Sequence, residues 1–166
     1  MKIWKLIIAY VIAFVIQGSF LNIAVVSGQT PNLLLALTIA IAYLHEEKPY
    51  ALIFGTIFGV LSDFCFSTAI GPTAIMLVIV SALIYIVDMV APKENVVYFI
   101  VTAALATVLF YMGSWLLIKI QGNPAGLIVV LKQLPIKLLL TMAVALIVYV
   151  ILLARLIKKA KKKNYV

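Results

Sequence analysis

Residues 55–63 read GTIFGVLSD, an apolar run in which two glycines and an aspartate recur at intervals of four. Each residue of an α-helix turns by about 100°, so Gly55, Gly59 and Asp63 fall on one helical face. Glycines allow a second helix to approach closely. A carboxyl group within such a segment is too costly to face lipid, so we expect Asp63 to point at the same neighbouring helix.

The rest of the chain has the composition of a membrane protein. Of its 166 residues, 66% are hydrophobic and 11% are charged, whereas a soluble domain needs polar outer faces. Six apolar segments can be counted, at about 3–26, 30–44, 50–66, 70–91, 96–118 and 134–157. Because backbone groups in lipid must find partners within the segment, these segments predict helices. We therefore expect an all-α, six-transmembrane-helix bundle over residues 1–157 and a basic cytoplasmic tail over residues 158–166.

Two parts of this arrangement stay open. The second and third segments are short for a bilayer whose hydrocarbon core takes roughly 20 residues to cross, so they are thin spans or are held inside the bundle. We expect the second segment to start at Pro31, a residue favoured in the first turn of a helix. Residues 126–132 form either an interfacial helix or lid, or an extension of the sixth helix that is broken at Pro135.

Positive charge indicates the orientation of the chain. With six spans and a cytoplasmic N-terminus, ten of the 13 lysines and arginines lie inside, and the other three are Lys119, Lys132 and Lys137. We therefore expect both termini to be cytoplasmic. The basic cluster at the C-terminus is expected to contact anionic lipid head groups rather than nucleic acid. It consists of Arg155, Lys158, Lys159, Lys161, Lys162 and Lys163.

Asp63 is the only acidic residue that the segments place deep in the bilayer, and three roles are open to it. Gln17 lies at a similar depth, so we expect a hydrogen bond from Gln17 to Asp63. Alternatively, Asp63 accepts backbone N–H groups of the turn at residues 67–72, or it contacts a partner or ligand directly. Gly55 and Gly59 likewise pack either within the bundle or against a helix of a partner protein.

The residues required for common enzymatic sites are missing from the sequence. His45 is the only histidine, and Pro49 stands where a zinc-protease motif needs its second histidine. Cys65 is the only cysteine. We therefore expect no catalytic site, no metal and no cofactor.

Several of these residues together resemble a known family. The chain resembles the rod-shape-determining MreD family in four features. These are an early Gln17, Pro31-Asn32 at the second span, the glycine–aspartate block at residues 55–63, and Gly71 at the fourth span. The similarity covers the whole chain in length and in the order of spans, and its motifs lie between residues 17 and 80. Many family members carry Pro-Asp at residues 31–32, so Asn32 keeps the hydrogen bonding but lacks the charge.

The resemblance implies a fold similar to that of the six-helix substrate-binding subunits of energy-coupling-factor vitamin transporters. It also implies a non-enzymatic component of the bacterial cell-elongation machinery, located in the inner membrane. The implied partners are MreC directly, and MreB filaments, RodA and its transpeptidase indirectly. The alternative function is that of a vitamin-binding transporter subunit, with Asp63 and Gln17 lining an outer pocket. An intramembrane enzyme is the third possibility, and it lacks a catalytic pair.

Overall fold

The computed structural model describes residues 3–19, 28–44, 49–67, 70–88, 95–122 and 126–163. Within these residues the protein is an all-α bundle of six helices. They are α1 (Ile3–Ser19), α2 (Leu33–Leu44), α3 (Pro49–Phe66), α4 (Pro72–Asp88), α5 (Val96–Ile120) and α6 (Leu127–Lys163).

Consecutive helices run antiparallel. The end of α3 meets the start of α4 where Gly71 donates to Asp63, and farther along α3 the position of Gly55 lies beside Leu77 of α4. Likewise, α5 and α6 pair in opposite directions. We call the end of the bundle at which α2 and α4 begin the cap end. The opposite end contains Tyr43, whose hydroxyl donates to the carbonyl of Asn95.

Helix α2 forms the centre of the bundle. Every residue from Leu34 to Leu44 is buried, and α2 packs against each of the other five helices. A helix that is apolar on all sides is stable only when neighbours cover every face. Its 12 residues span roughly 18 Å at 1.5 Å per residue. The second apolar segment is therefore short because it is held inside the bundle.

The surrounding helices expose apolar side chains on their outer faces. In α3 these include Ile53, Ile57 and Leu61, which recur at the four-residue spacing of one helical face. Helix α5 and the α6 stretch Leu127–Ala154 are long and apolar enough to cross a membrane, and the other four helices are apolar but shorter. These two features agree with the membrane character expected from the composition.

Helix α6 is longer than the sequence indicated. It begins at Leu127, so of the two alternatives for residues 126–132 the extension of the sixth helix is confirmed, without the expected break at Pro135, and a separate interfacial helix or lid is wrong. The helix also continues through Pro135, although proline lacks the N–H that would bond the carbonyl of Leu131 and its ring crowds that carbonyl. The backbone remains helical to Lys163, while the side chains of the basic cluster from Arg155 onward lie outside the described part. The predicted first segment reached residue 26, but residues 20–27 are also outside it.

Candidate functional site

The carboxylate of Asp63 caps helix α4. Its Oδ2 accepts the backbone N–H groups of Gly71 at 2.9 Å, Thr73 at 3.0 Å and Ala74 at 3.4 Å. These donors have no intrahelical partner, and a negative charge at a helix N-terminus is favoured by the helix dipole. Asp63 is 1% exposed, and its Oδ1 has no hydrogen-bond partner among the described residues. The expectation that Asp63 accepts backbone N–H groups of the turn at residues 67–72 is confirmed for Gly71.

Gly71 fits this cap because of its backbone conformation. Its φ angle is +107°, a value that residues with a side chain rarely adopt. In this conformation its N–H points at the Asp63 carboxylate, while its carbonyl accepts the N–H of Ile75 at 2.9 Å. Pro72 follows at the first position of α4, where the missing N–H of proline costs nothing.

Gly55 and Gly59 bring α3 into close contact with its neighbours. A Cβ atom added at Gly59 would lie 2.8 Å from the backbone Cα of Ala74, and one at Gly55 would lie 3.2 Å from Cγ2 of Thr38. Both glycines are buried. The face shared by Gly55, Gly59 and Asp63 is therefore covered by α2 and α4 of the same chain, as the packing alternative predicts.

Gln17 does not bind Asp63, so that prediction is wrong. Its Oε1 instead accepts the backbone N–H of Leu34 at 3.1 Å, in the first turn of α2. The physical reason is that α2 also begins with unpaired N–H groups, and the Gln17 amide oxygen lies beside the first turn of that helix. Gln17 and Asp63 thus perform the same task for two different helices.

Asn32 supplies a second cap for α2. Its Oδ1 accepts the N–H of Leu35 at 2.9 Å, and its own N–H donates to Oγ1 of Thr141 on α6 at 3.3 Å. Pro31 therefore precedes the cap rather than lying in the first turn, because α2 begins at Leu33. Asparagine is among the best capping residues, which moves the helix start past the proline. The amide performs this role without the charge of an aspartate.

Sequence reasoning missed several residues that join the helices. The hydroxyl of Thr141 also pairs with the hydroxyl of Tyr111 at 3.3 Å, which ties α5 to α6 and, through Asn32, to α2. Tyr10 and Thr38 form a buried hydroxyl pair at 3.0 Å between α1 and α2. The only indication in the sequence was that these hydroxyl residues lie isolated within apolar segments. Their spacing along the chain does not show which of them bond to each other.

Gly18 and Gly113 form two further close contacts that the sequence did not indicate. A Cβ atom at Gly18 would meet the ring of Phe66, and one at Gly113 would meet the side chain of Met76. Neither glycine has another glycine four residues away, so the small-residue spacing that marked Gly55 and Gly59 is absent.

The polar side chains at the cap end bond the backbone of their own chain. Gln17, Asn32 and Asp63 all accept backbone N–H groups of their own chain, which fixes where α2 and α4 begin. Among the described residues, no three side chains of histidine, cysteine, aspartate or glutamate cluster as metal ligands. No family model, no curated protein and no solved structure matches this chain.

Proposed function

We propose that this protein is a non-enzymatic scaffold of the bacterial cell-elongation machinery that binds an MreC-like protein in the inner membrane. Through that partner it connects with MreB filaments, RodA and its transpeptidase. The observation that supports the proposal is that the polar residues at the cap end bond the backbone where α2 and α4 begin. Gln17, Asn32, Asp63 and Gly71, which carry the resemblance to the MreD family, all fix the starts of helices.

Exposed apolar side chains and helix lengths support a location in the membrane. Helix α5 has 25 residues, roughly 37 Å, which exceeds a hydrocarbon thickness of about 30 Å. Outward-facing residues such as Leu105, Leu139 and Ile147 are more than half exposed, as lipid contact favours. The distribution of lysines and arginines then orients the cap end toward the outside and both termini toward the cytoplasm.

The caps favour a scaffold over a vitamin-binding subunit. In the transporter alternative, Gln17 and Asp63 line an outer ligand pocket. In the bundle, one oxygen of each side chain is occupied by backbone N–H groups.

We place the partner surface at the first turn of α6. The face of Gly55 and Gly59 is covered by the bundle itself, which leaves the predicted region of residues 119–137, and within it we place the contact at the three exposed apolar residues that begin α6. Leu127, Ile128 and Val129 are exposed there and offer apolar contacts to a helix of the partner.

Depletion in host cells tests the function. The protein is placed under an inducible promoter, and cell width and side-wall incorporation of a fluorescent D-amino acid are followed after the inducer is removed. We expect rods to become round and side-wall labelling to fall before growth stops. Unchanged rod shape after the protein is lost would contradict the proposal.

Labelling of single cysteines tests the orientation. In a Cys65→Ser background, Gln121→Cys places a thiol at the exposed turn after α5. A membrane-impermeant maleimide should label this thiol in intact cells. A cysteine added after Val166 should react only after the cells are opened, and the reverse pattern would refute the orientation.

A further inference from the structure

Two lysines near the cap end lie over aromatic rings of α5. The Nζ of Lys137 is 5.2 Å from the ring centroid of Tyr111, and the Nζ of Lys119 is 4.9 Å from that of Trp115. Tyr111 and Trp115 are four residues apart, so their rings are neighbours on one face of α5. The two ammonium groups therefore lie over adjacent rings.

These two ammonium groups have no carboxylate to balance them in the part of the chain that the structure describes. Asp63 is the only acidic residue whose side chain is described there, and its Oδ2 is bound to the N–H groups of α4. Lys137 is half-buried, which makes an unbalanced charge costly. An anion from outside the chain would remove that cost.

Both lysines lie near the cap end, where α5 ends and α6 begins. Lys119 lies 23 residues after Val96, so it is roughly 34 Å along α5, just beyond a hydrocarbon core of about 30 Å. Lys137 lies one helical turn closer to the cap end than Thr141, which bonds Tyr111. In the structure its ammonium group lies over the Tyr111 ring, and rotation of the long side chain away from that ring would bring the ammonium group to the head groups.

We propose that Lys137 binds the phosphate of an anionic phospholipid in the outer leaflet, with Lys119 as a second positive charge on the same face of α5. A phosphate oxygen forms a strong charge-assisted hydrogen bond with an ammonium group. Leu116 and Ile120 are more than half exposed on the same helix and provide apolar surface for the acyl chains. This site rests on the membrane location proposed above but not on binding of an MreC-like partner.

Native mass spectrometry on the full-length protein in detergent tests the site. Short-chain phosphatidylglycerol and phosphatidylcholine are titrated into wild type, Lys137→Gln, Lys137→Arg and Lys5→Gln. Lys5 is the matched control, because its Nζ lies 5.6 Å from the ring centroid of Trp4 on a helix that does not contain the site. We expect Lys137→Gln to weaken phosphatidylglycerol binding about tenfold, as loss of one charge-assisted bond predicts.

The other measurements separate this site from general charge effects. Lys137→Arg and Lys5→Gln should bind phosphatidylglycerol like wild type, and no variant should change phosphatidylcholine binding. Equal loss in Lys137→Gln and Lys5→Gln, or no loss in Lys137→Gln, would overturn the proposal. Competition by glycerol 3-phosphate as effective as that by the lipid would also overturn it, because the ligand would then be a free phosphate. Unfolding temperatures of all variants show whether each one is folded.

The same variants separate this proposal from the proposed function. Lys137→Gln should still recover an MreC-like partner, since Lys137 is not part of the apolar surface at Leu127, Ile128 and Val129. A protein that remains in solution without detergent would refute the membrane location and the lipid site together. Loss of lipid binding with normal partner recovery supports the lipid site alone.

Discussion

Replacing Asp63 distinguishes a structural cap from a charge that serves a ligand. In Asp63→Ala, the N–H groups of Gly71, Thr73 and Ala74 lose their shared acceptor. A lost cap typically costs about 0.5–2 kcal/mol, but each buried donor left without an acceptor costs about 1–3 kcal/mol, so loss of the acceptor shared by these three donors should cost about 3 kcal/mol. Asp63→Asn keeps an acceptor oxygen and loses only the favourable charge at the helix dipole, which is worth about 1 kcal/mol.

Thermal unfolding in detergent, followed by the fluorescence of Trp4 and Trp115, measures this difference. For a chain of this size, 1 kcal/mol corresponds to roughly 3 °C in the unfolding temperature. We therefore expect Asp63→Ala to unfold about 9 °C below wild type and Asp63→Asn about 3 °C below it. Gln121→Ala is the control, because its side chain makes one long, exposed hydrogen bond at the same end, and it should change the temperature little.

The comparison that decides between the two roles is the fall in unfolding temperature of Asp63→Ala against that of Asp63→Asn. If Asp63→Asn is as damaging as Asp63→Ala, the charge itself is required and the cap does not explain the residue. If both variants unfold like wild type but no longer bind a small-molecule ligand that wild type binds saturably, the result favours the transporter alternative and contradicts the scaffold proposal.

Substitutions at three further positions, two of them with a matched comparison variant, test other contacts by the same unfolding measurement. Gly59→Ala should cost about 1–3 kcal/mol, since the new Cβ would lie 2.8 Å from the Ala74 backbone, whereas Gly126→Ala meets open space and should be neutral. Equal behaviour of the two alanine variants would contradict the packing. Gln17→Ala should cost about 1 kcal/mol and Gln17→Glu less, because glutamate keeps the acceptor, and the opposite order would refute the α2 cap. Gly71→Ala should cost about 1–3 kcal/mol through its positive φ angle, and wild-type stability would show that the turn relaxes.

The sequence predicted the helical class and the glycine face because both depend on local periodicity. Spacings of four residues put Gly55, Gly59 and Asp63 on one face, and that face does meet neighbouring helices. The short second segment also allowed a helix held inside the bundle, and α2 is such a helix. These features need only the pitch of a helix and the cost of placing polar groups in an apolar environment.

The sequence could not decide which polar group meets which donor. Gln17 and Asp63 lie at matching depth, yet each binds the first turn of the helix that follows its own. Depth gives one coordinate of a side chain, whereas a hydrogen bond also depends on the rotation of each helix about its axis. Because the sequence does not give these rotations, it also could not predict the contact of Thr141 with Asn32, which are 109 residues apart in the chain.

Affinity purification from a mild detergent tests the scaffold proposal most directly. The tagged full-length protein is captured from host membranes, and the recovered proteins are identified by mass spectrometry, with a tagged unrelated membrane protein as control. We predict enrichment of an MreC-like protein, together with components of the RodA synthase. Recovery of a transporter coupling subunit with its ATPases, and of no MreC-like protein, would contradict the proposed function.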